Sequence, residues 1–369
     1  MKLLDLPRQY RDMRAEIDSA LQSTLDSGRY IGGPAVKAFE RDFAAYVGVN
    51  HCVGVGSGTD ALRIALEAAG IKGQVIVPAN TAFPTTEAVI CAGARPVFCD
   101  CQPDTYTMSP EHLLSLVGPK TEAVIPVHLY GQACDMNTIA SIAARYGLFV
   151  LEDCAHAHGA RYHGQMVGSL GDAAAFSFNP VKILGALGDA GGITTDDESL
   201  AQRCRSLRDH GRREKYIHQR LGYNSRLDAV NAGVLIAKLK HLDDWVEHRN
   251  RVASWYRERL QDVVELPTVA SRTTRHAYHQ YVVRVPDRDQ VRQILTAMYE
   301  IETGIHYPLV LSEQPALRFL NARPEDTPMA TAYAQQILSL PMNESIQRDD
   351  VALVCAALEA LVNKDEKSE

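Results

Sequence analysis

Through roughly the first 210 residues, short uninterrupted apolar runs alternate with segments whose apolar positions recur at helical spacing, and this alternation predicts an α/β domain with a mostly parallel sheet. The runs lie at 52–55, 75–77, 96–98, 123–127, 148–151 and 173–178. Apolar at every position, they predict strands covered on both faces. Between them, 61–69 has helical spacing, Ser109 followed by Pro110 marks a helix start, and Gly147 stops a helix ending at Arg145-Tyr146. Farther on, a long amphipathic helix over 242–260 carries Trp245, Val252, Trp255, Tyr256 and Leu260, and the pattern then changes to an alternating strand at 278–285 followed by helices. The change sets an expected boundary near residue 245, with a large domain over 1–245 and a smaller α+β domain over 246–369. The N-terminal segment is expected to pack on the smaller domain, and the charged tail 363–369 to fray.

With 369 residues, 46% of them hydrophobic, the chain can bury a large core. Its net charge is −7 and no block of five like charges occurs, so there is no electrostatic footprint for nucleic acid or an anionic membrane, and small molecules are the expected partners. The start, Met1-Lys2-Leu3-Leu4-Asp5-Leu6-Pro7, has no long apolar region, and no run reaches about 18 apolar residues, so a cytoplasmic location is expected. Eight cysteines at 52, 91, 99, 101, 134, 154, 204 and 355 include no CxxC pair. They read as buried thiols rather than a disulfide framework or a zinc site.

Four constellations could carry chemistry. Lys182 stands between the apolar run ending Phe176-Ser177-Phe178 and the glycine-rich Gly185-Ala186-Leu187-Gly188-Asp189-Ala190-Gly191-Gly192, with no second cation within six positions. Such surroundings lower an amine pKa and make it nucleophilic toward carbonyls, although a loop lysine at the surface would show the same window. Gly54-Val55-Gly56-Ser57-Gly58-Thr59-Asp60-Ala61 follows a strand and opens a helix, where backbone N–H groups can cradle a phosphate. It also satisfies a loose GxGxxA dinucleotide pattern, but Val77-Pro78-Ala79-Asn80 stands where the acidic residue of that motif belongs, so a single phosphate suits it better, and a ligand-free glycine turn stays open. Asp153 ends a strand in Leu151-Glu152-Asp153-Cys154-Ala155-His156-Ala157-His158, a position that needs a cationic partner such as a protonated heterocyclic nitrogen. A metal held by Asp153, His156 and His158 is the weaker rival, because the zinc spacings are absent. Finally, Asn224 or Ser225 could cap the helix that begins near Ala229.

A phosphate cradle with Ser177 nearby, a strand-end carboxylate and a reactive lysine are together what pyridoxal 5'-phosphate (PLP) requires. The chain resembles the DegT/DnrJ/EryC1/StrS sugar aminotransferases. Matching segments include Gly33-Pro34-Ala35-Val36, Gly56-Ser57-Gly58-Thr59-Asp60, Val77-Pro78-Ala79-Asn80-Thr81, His128-Leu129-Tyr130-Gly131-Gln132, Glu152-Asp153, Gly168-Ser169-Leu170-Gly171-Asp172, Asn224-Ser225-Arg226-Leu227-Asp228 and His306-Tyr307-Pro308, in order along nearly the whole chain.

The resemblance implies the fold-type I PLP-dependent architecture and a homodimer with shared active sites. It implies that Lys182 forms the Schiff base and then moves the proton, that Asp153 pairs with the pyridine nitrogen, and that His156 contacts the phenolic-oxygen side. Ser57, Gly58, Thr59 and Ser177 would hold the phosphate, with Asn224 reaching across from the second subunit. Phe83 would cover the ring, although relatives carry an aromatic directly after the Asn-Thr pair, where this chain has Ala82. Tyr216, Arg226, His306 and Tyr307 would meet the substrate. Asn179 replaces the tyrosine or histidine of many relatives, and the segment after Pro308 lacks their second proline and histidine. The implied reaction moves an amino group from L-glutamate to a nucleotide-linked keto sugar. Lys215-Tyr216-Ile217-His218 and Gly185-Ala186-Leu187-Gly188-Asp189 resemble the branch acting at C3 of dTDP-linked 3-keto-6-deoxyhexoses, with 4-keto and UDP-linked acceptors open. Dehydratase members replace the lysine with histidine. A PLP-binding regulator would need a DNA-binding appendage, and no basic helix-turn-helix pattern is present.

Overall fold

The computed structural model describes residues 1–365. Seven strands, β1 His51–Val55, β2 Gln74–Pro78, β3 Arg95–Cys99, β4 Thr121–Val124, β5 Phe149–Asp153, β6 Ala173–Ser177 and β7 Gly191–Thr195, form one sheet in the order β1-β7-β6-β5-β4-β2-β3. Neighbours from β6 to β3 pair in parallel, and only β7 runs the other way, antiparallel to both β1 and β6. The α/β expectation with a mostly parallel sheet is borne out, and the six apolar runs each hold a strand of this sheet.

β7 had no apolar run to announce it. Its sequence is Gly191-Gly192-Ile193-Thr194-Thr195, and the glycines have a steric cause. A Cβ on Gly191 would lie 2.2 Å from Ser57 O, and one on Gly192 would lie 3.1 Å from the Phe178 ring. The start of the helix Gly58–Ala69 crowds Gly191 and the Phe178 ring crowds Gly192, so side chains do not fit there and the strand loses the apolar signature that reveals the others.

Both faces of the sheet are covered. Helix Gly58–Ala69 buries Ala61, Leu62, Ile64, Ala65 and Leu66 on one side, capped by Ser57 and closed by Gly70 in the left-handed conformation. On the other side Phe43 from helix Gly33–Val47 meets Phe176 and Phe178 edge to face, at 4.9 and 5.1 Å between ring centroids. Ser109 caps the helix Pro110–Leu116 through the His112 N–H. Seven of the eight cysteines are buried, and Cys91 is the exposed exception at a helix end.

The helix Leu242–Leu260 crosses the boundary expected at 245. Its Val246 joins the core of the sheet, whereas Val252, Tyr256 and Leu260 join a second core with the antiparallel pair Tyr281–Arg284 and Ile337–Leu340. That strand begins three residues later than its alternation suggests, because Tyr278 sits at φ 44° and its carbonyl accepts from Arg249. Val310, Leu311, Leu317 and Leu320 turn back onto the core around helix Gly58–Ala69. At the other end of the chain Leu3 N–H donates to Glu302 Oε2 at 3.3 Å and Glu302 N–H to Met1 O at 2.9 Å. The expected fraying of 363–369 falls, from 366 onward, outside the described residues. No helix among the described residues is long and apolar enough to cross a membrane.

Candidate active site

Three chain segments leave the sheet side by side and enclose a cavity of about 370 Å³: the Gly56–Thr59 turn after β1, the end of β5, and the loop after β6. This is where ligands sit in open α/β sheets, beyond the carboxyl ends of parallel strands. Ser57, Gly58, Thr59, Asp153, His156, Ser177, Lys182 and Tyr307 all line it. Residues more than 100 positions apart in sequence therefore share one wall.

Asp153, the last residue of β5, is buried and accepts from Thr85 Oγ1 at 2.9 Å and from Ala155 N–H at 3.1 Å. Thr85 in turn lies 3.1 Å from Thr81 Oγ1. Burial raises the Asp153 carboxyl above its usual range, partly opposed by these two bonds and by the charge of Lys182. No ion pair within 4 Å meets this carboxylate among the described residues, so the site offers an acceptor for an incoming cation.

Lys182 projects from a tight loop. Lys182 N–H donates to Asn179 O at 2.9 Å and Ala186 N–H to Phe178 O at 2.8 Å. Gly185 permits this turn, since a Cβ there would stand 2.4 Å from Pro180 O. Burial brings the Lys182 amine down to about 8, with Asp153 pulling the other way. An amine at about 8 keeps roughly a tenth of its population unprotonated at pH 7, far more than an ordinary lysine, and that fraction can attack a carbonyl or accept a proton.

The glycine turn supplies the third group. Ser57 spends its own hydroxyl on the Asp60 N–H at 3.1 Å as the helix cap, which leaves the helix N-terminus with Thr59 and Ser177 to face an anion. A Cβ on Gly58 would stand 2.7 Å from Ser177 Cβ, so only glycine lets the two segments close up. Ser225 is no helix cap. Asp228 occupies that position for the helix Ala229–Leu239, and Ser225 braces the turn instead, accepting from Gly56 N–H at 3.1 Å and donating to Asp60 at 2.6 Å.

His156 is buried with its pKa well below the usual histidine range, first through burial and then through Lys182. Its Nδ1 accepts from Tyr130 N–H at 3.4 Å and its Nε2 faces Tyr307 OH at 3.5 Å. Burial raises the Tyr307 phenol, with Asp153 adding to it. His158 is buried beside Phe176 and Phe178 with neither ring nitrogen bonded. It does not line the cavity, which removes it from any metal set with Asp153 and His156.

Other predicted site residues lie elsewhere in the single chain. Phe83, the first residue of helix Phe83–Cys91, packs half-buried against the core around helix Gly58–Ala69, and Ala82 and Pro84 take the cavity wall. His306 bonds Ser339 Oγ at 2.8 Å and lines a separate cavity of about 140 Å³ with Leu3, His279 and Gln280. Asn224 and Arg226 bond each other at 2.9 Å beside Asp209, and Tyr216 is 81% exposed on the hairpin that follows helix Glu198–Leu207. Conversely, Thr81, Thr85 and Asp189 line the cavity without having been singled out. For Thr85 the available signal was Pro84, which marks a helix start just beyond the Asn80-Thr81 turn.

Two buried acids of β5 part company here. Glu152 points to the opposite face, where it accepts from His128 Nε2 at 2.8 Å and from the N–H groups of Gly168, Leu170 and Gly171 at 2.9, 2.7 and 2.9 Å. Cys134 N–H donates to His128 Nδ1 at 3.0 Å, which leaves the Nε2 proton for Glu152. His128, Glu152 and Cys154 come close enough to suggest a metal, but the Glu152 oxygens and both His128 nitrogens are already engaged.

Comparison with known proteins adds the family context. The model of the DegT/DnrJ/EryC1/StrS aminotransferase family matches residues 11–359. The chain is 44% identical to a "Pleiotropic regulatory protein" of Geobacillus stearothermophilus, over 94% of each chain. It is 42% identical to a dTDP-3-amino-3,4,6-trideoxy-alpha-D-glucose transaminase of Streptomyces venezuelae, over 96% of this chain and 94% of that one. Its fold superposes on the crystal structure of S. venezuelae DesV in complex with a ketimine intermediate with a TM-score of 0.95, at 41% identity and 98% coverage of both chains.

Proposed function

Because the chain belongs to the DegT/DnrJ/EryC1/StrS aminotransferase family, we propose that it is a PLP-dependent enzyme moving an amino group from L-glutamate to C3 of a dTDP-linked 3-keto-6-deoxyhexose. The observation that carries this reading is the cavity itself, where a half-open lysine with its amine at about 8 and an unpaired buried carboxylate share one wall with a helix N-terminus.

The residues present fit the cofactor. Asp153 lacks a cationic partner, which a protonated pyridine nitrogen would supply. The Gly58 close approach leaves room for phosphate oxygens against Thr59 and Ser177. Lys182 would condense with the cofactor's aldehyde, the carbonyl oxygen leaving as water. When bound, PLP supplies an electron sink for the pair left by a broken C–H bond.

The chain's own groups do the rest. Lys182 Nζ, whose pKa burial lowers to about 8, would take the proton from the donor carbon and return it on the other side of the transfer. Asp153, held by Thr85 and Ala155, would supply the negative charge that keeps a ring nitrogen protonated. His156, with Nδ1 committed to Tyr130 N–H, presents Nε2 as a donor. Asn224, Arg226 and Tyr216 are assigned to the cavity of a second subunit in a homodimer, the large and small domains meeting near 245.

The regulatory name of the Geobacillus relative describes that protein. A non-catalytic binder has no need of an amine tuned by burial opposite a carboxylate, and this supports catalysis here.

The test is to incubate the enzyme with PLP, L-glutamate and a panel of dTDP- and UDP-linked 3- and 4-keto sugars and read products by mass spectrometry. Amination at C3 of a dTDP sugar is expected, and Lys182→Ala should reduce it by about 10⁴-fold. Amination confined to C4 would overturn the acceptor reading, and full activity in Lys182→Ala the chemistry.

A further inference from the structure

A second lysine, Lys238, is only 3% exposed on the helix Ala229–Leu239, and the reaction has no use for it. Its Nζ donates to two neutral oxygens, Gly185 O at 2.7 Å and Gln9 Oε1 at 2.8 Å. Burying an amine against neutral acceptors is unfavourable compared with an apolar residue of the same shape. Burial accordingly brings this amine down to about 8, with the charge of Glu344 opposing. What the lysine supplies is a cross-link.

The place of that link gives it meaning. Gly185 is the hinge of the tight turn that carries Lys182. Asn231, two helical turns before Lys238, accepts from Leu187 N–H and donates to Asp189 O, each at 3.3 Å. One helix thus grips the lysine loop at Gly185, Leu187 and Asp189. The other arm reaches Gln9 on the helix Leu6–Asp12. Just before that helix, Leu3 is tied to Glu302 and its carbonyl to Asn343. A continuous path runs from the C-terminal part of the chain through the N-terminal segment to the turn bearing Lys182.

We propose that Lys238 is a positioning residue that fixes where Lys182 stands in the cavity and makes that placement depend on the N-terminal segment being seated. This rests on Lys182 being the reactive amine, but not on which cofactor or sugar the enzyme takes.

The test uses cofactor-free protein, so that the transaminase reading can fail without affecting it. Lys182 is labelled with an amine-specific arylating reagent across a range of pH, and the extent is read by peptide mass spectrometry. In the parent the labelling midpoint should fall near about 8. Lys238→Met keeps the stem and removes both bonds, and should raise the midpoint by about one pH unit as Lys182 gains solvent, an approximately tenfold loss of labelling near pH 7.5. Gln9→Ala should shift it the same way by about half as much. A residue that merely stabilised the fold would lower the melting temperature and leave the midpoint in place, and that result in Lys238→Met overturns the proposal. If Lys238→Met does not fold, Gln9→Ala decides alone, and an unmoved midpoint there overturns the coupling to the N-terminal segment.

Discussion

Glu152 and Asp153 are neighbours on one strand, both acids and both buried, and they point to opposite faces of the sheet. Glu152 finds four donors within the chain: the His128 ring and three N–H groups of the Gly168–Gly171 turn. Asp153 finds two, Thr85 and Ala155, and otherwise faces a cavity and an amine. Residue type and burial are the same, so neither separates structure from function. The number of partners does. A buried acid whose needs are met by its own chain holds the fold together, and one left short is placed to receive a ligand.

Substitutions can break that contrast. Asp153→Asn keeps the shape and removes the charge a bound cation would need. Turnover should fall by about 10³-fold, on the scale of a lost electrostatic group in a catalytic site. The cofactor-free protein should be as stable as the parent at pH 7 or more so. The sign follows from the raised carboxyl: ionised Asp153 is disfavoured in the folded state, and asparagine removes that penalty. A melting temperature that drops sharply in Asp153→Asn would erase the distinction between the two acids.

Glu152→Gln should behave in the opposite way. The new amide must turn its own hydrogens toward N–H donors, leaving several buried groups unpaired. A loss of about 3 kcal/mol in urea unfolding is expected, as for removal of one partner from a buried ionic network. Activity per folded molecule should stay within about tenfold, because the reacting groups lie across the strand. A Glu152→Gln protein with unchanged stability but no turnover would place the acid in the chemistry after all.

Much of this contrast was readable in the chain, and the limit has a physical cause. Lys182, Asp153 and the Gly56–Thr59 turn declare themselves because strand ends and glycine turns are local signals. The partners that divide the two acids are not local. Thr85 is 68 positions from Asp153, and the turn that satisfies Glu152 begins 16 positions beyond it. β7 was hidden because a close helix start and the Phe178 ring forced glycines where apolar residues would have announced a strand. Phe83 was expected over the cavity because its distance from Thr81 is close to that of the family's aromatic; in the single chain it starts helix Phe83–Cys91 and lies half-buried against the core. Lys238 carried no signal, being one more basic residue near a helix end.

Acid sharpens the comparison with the smallest expected effect per group. His156, His158, His276 and His279 are buried with lowered pKa values, His158 and His276 at about 3, and the half-buried His306 stands at about 4. Unfolded, each titrates near 6.5, so below that value the unfolded chain binds protons that the folded chain refuses. Their contribution is complete above pH 6.5 and is lost as pH falls toward about 3, at no more than about 1.4 kcal/mol per pH unit for each buried ring. Asp153 works in the other direction. Its raised carboxyl takes a proton in the folded state before the unfolded one does, and so offsets part of the loss at the acid end of this window. Urea unfolding of the cofactor-free protein at pH 6, 5 and 4 should show falling stability, with a steeper fall in Asp153→Asn toward the acid end because the offset is gone. Parallel profiles for parent and variant would mean that Asp153 is not held above its ordinary range, and its shortage of partners would then lose its energetic meaning.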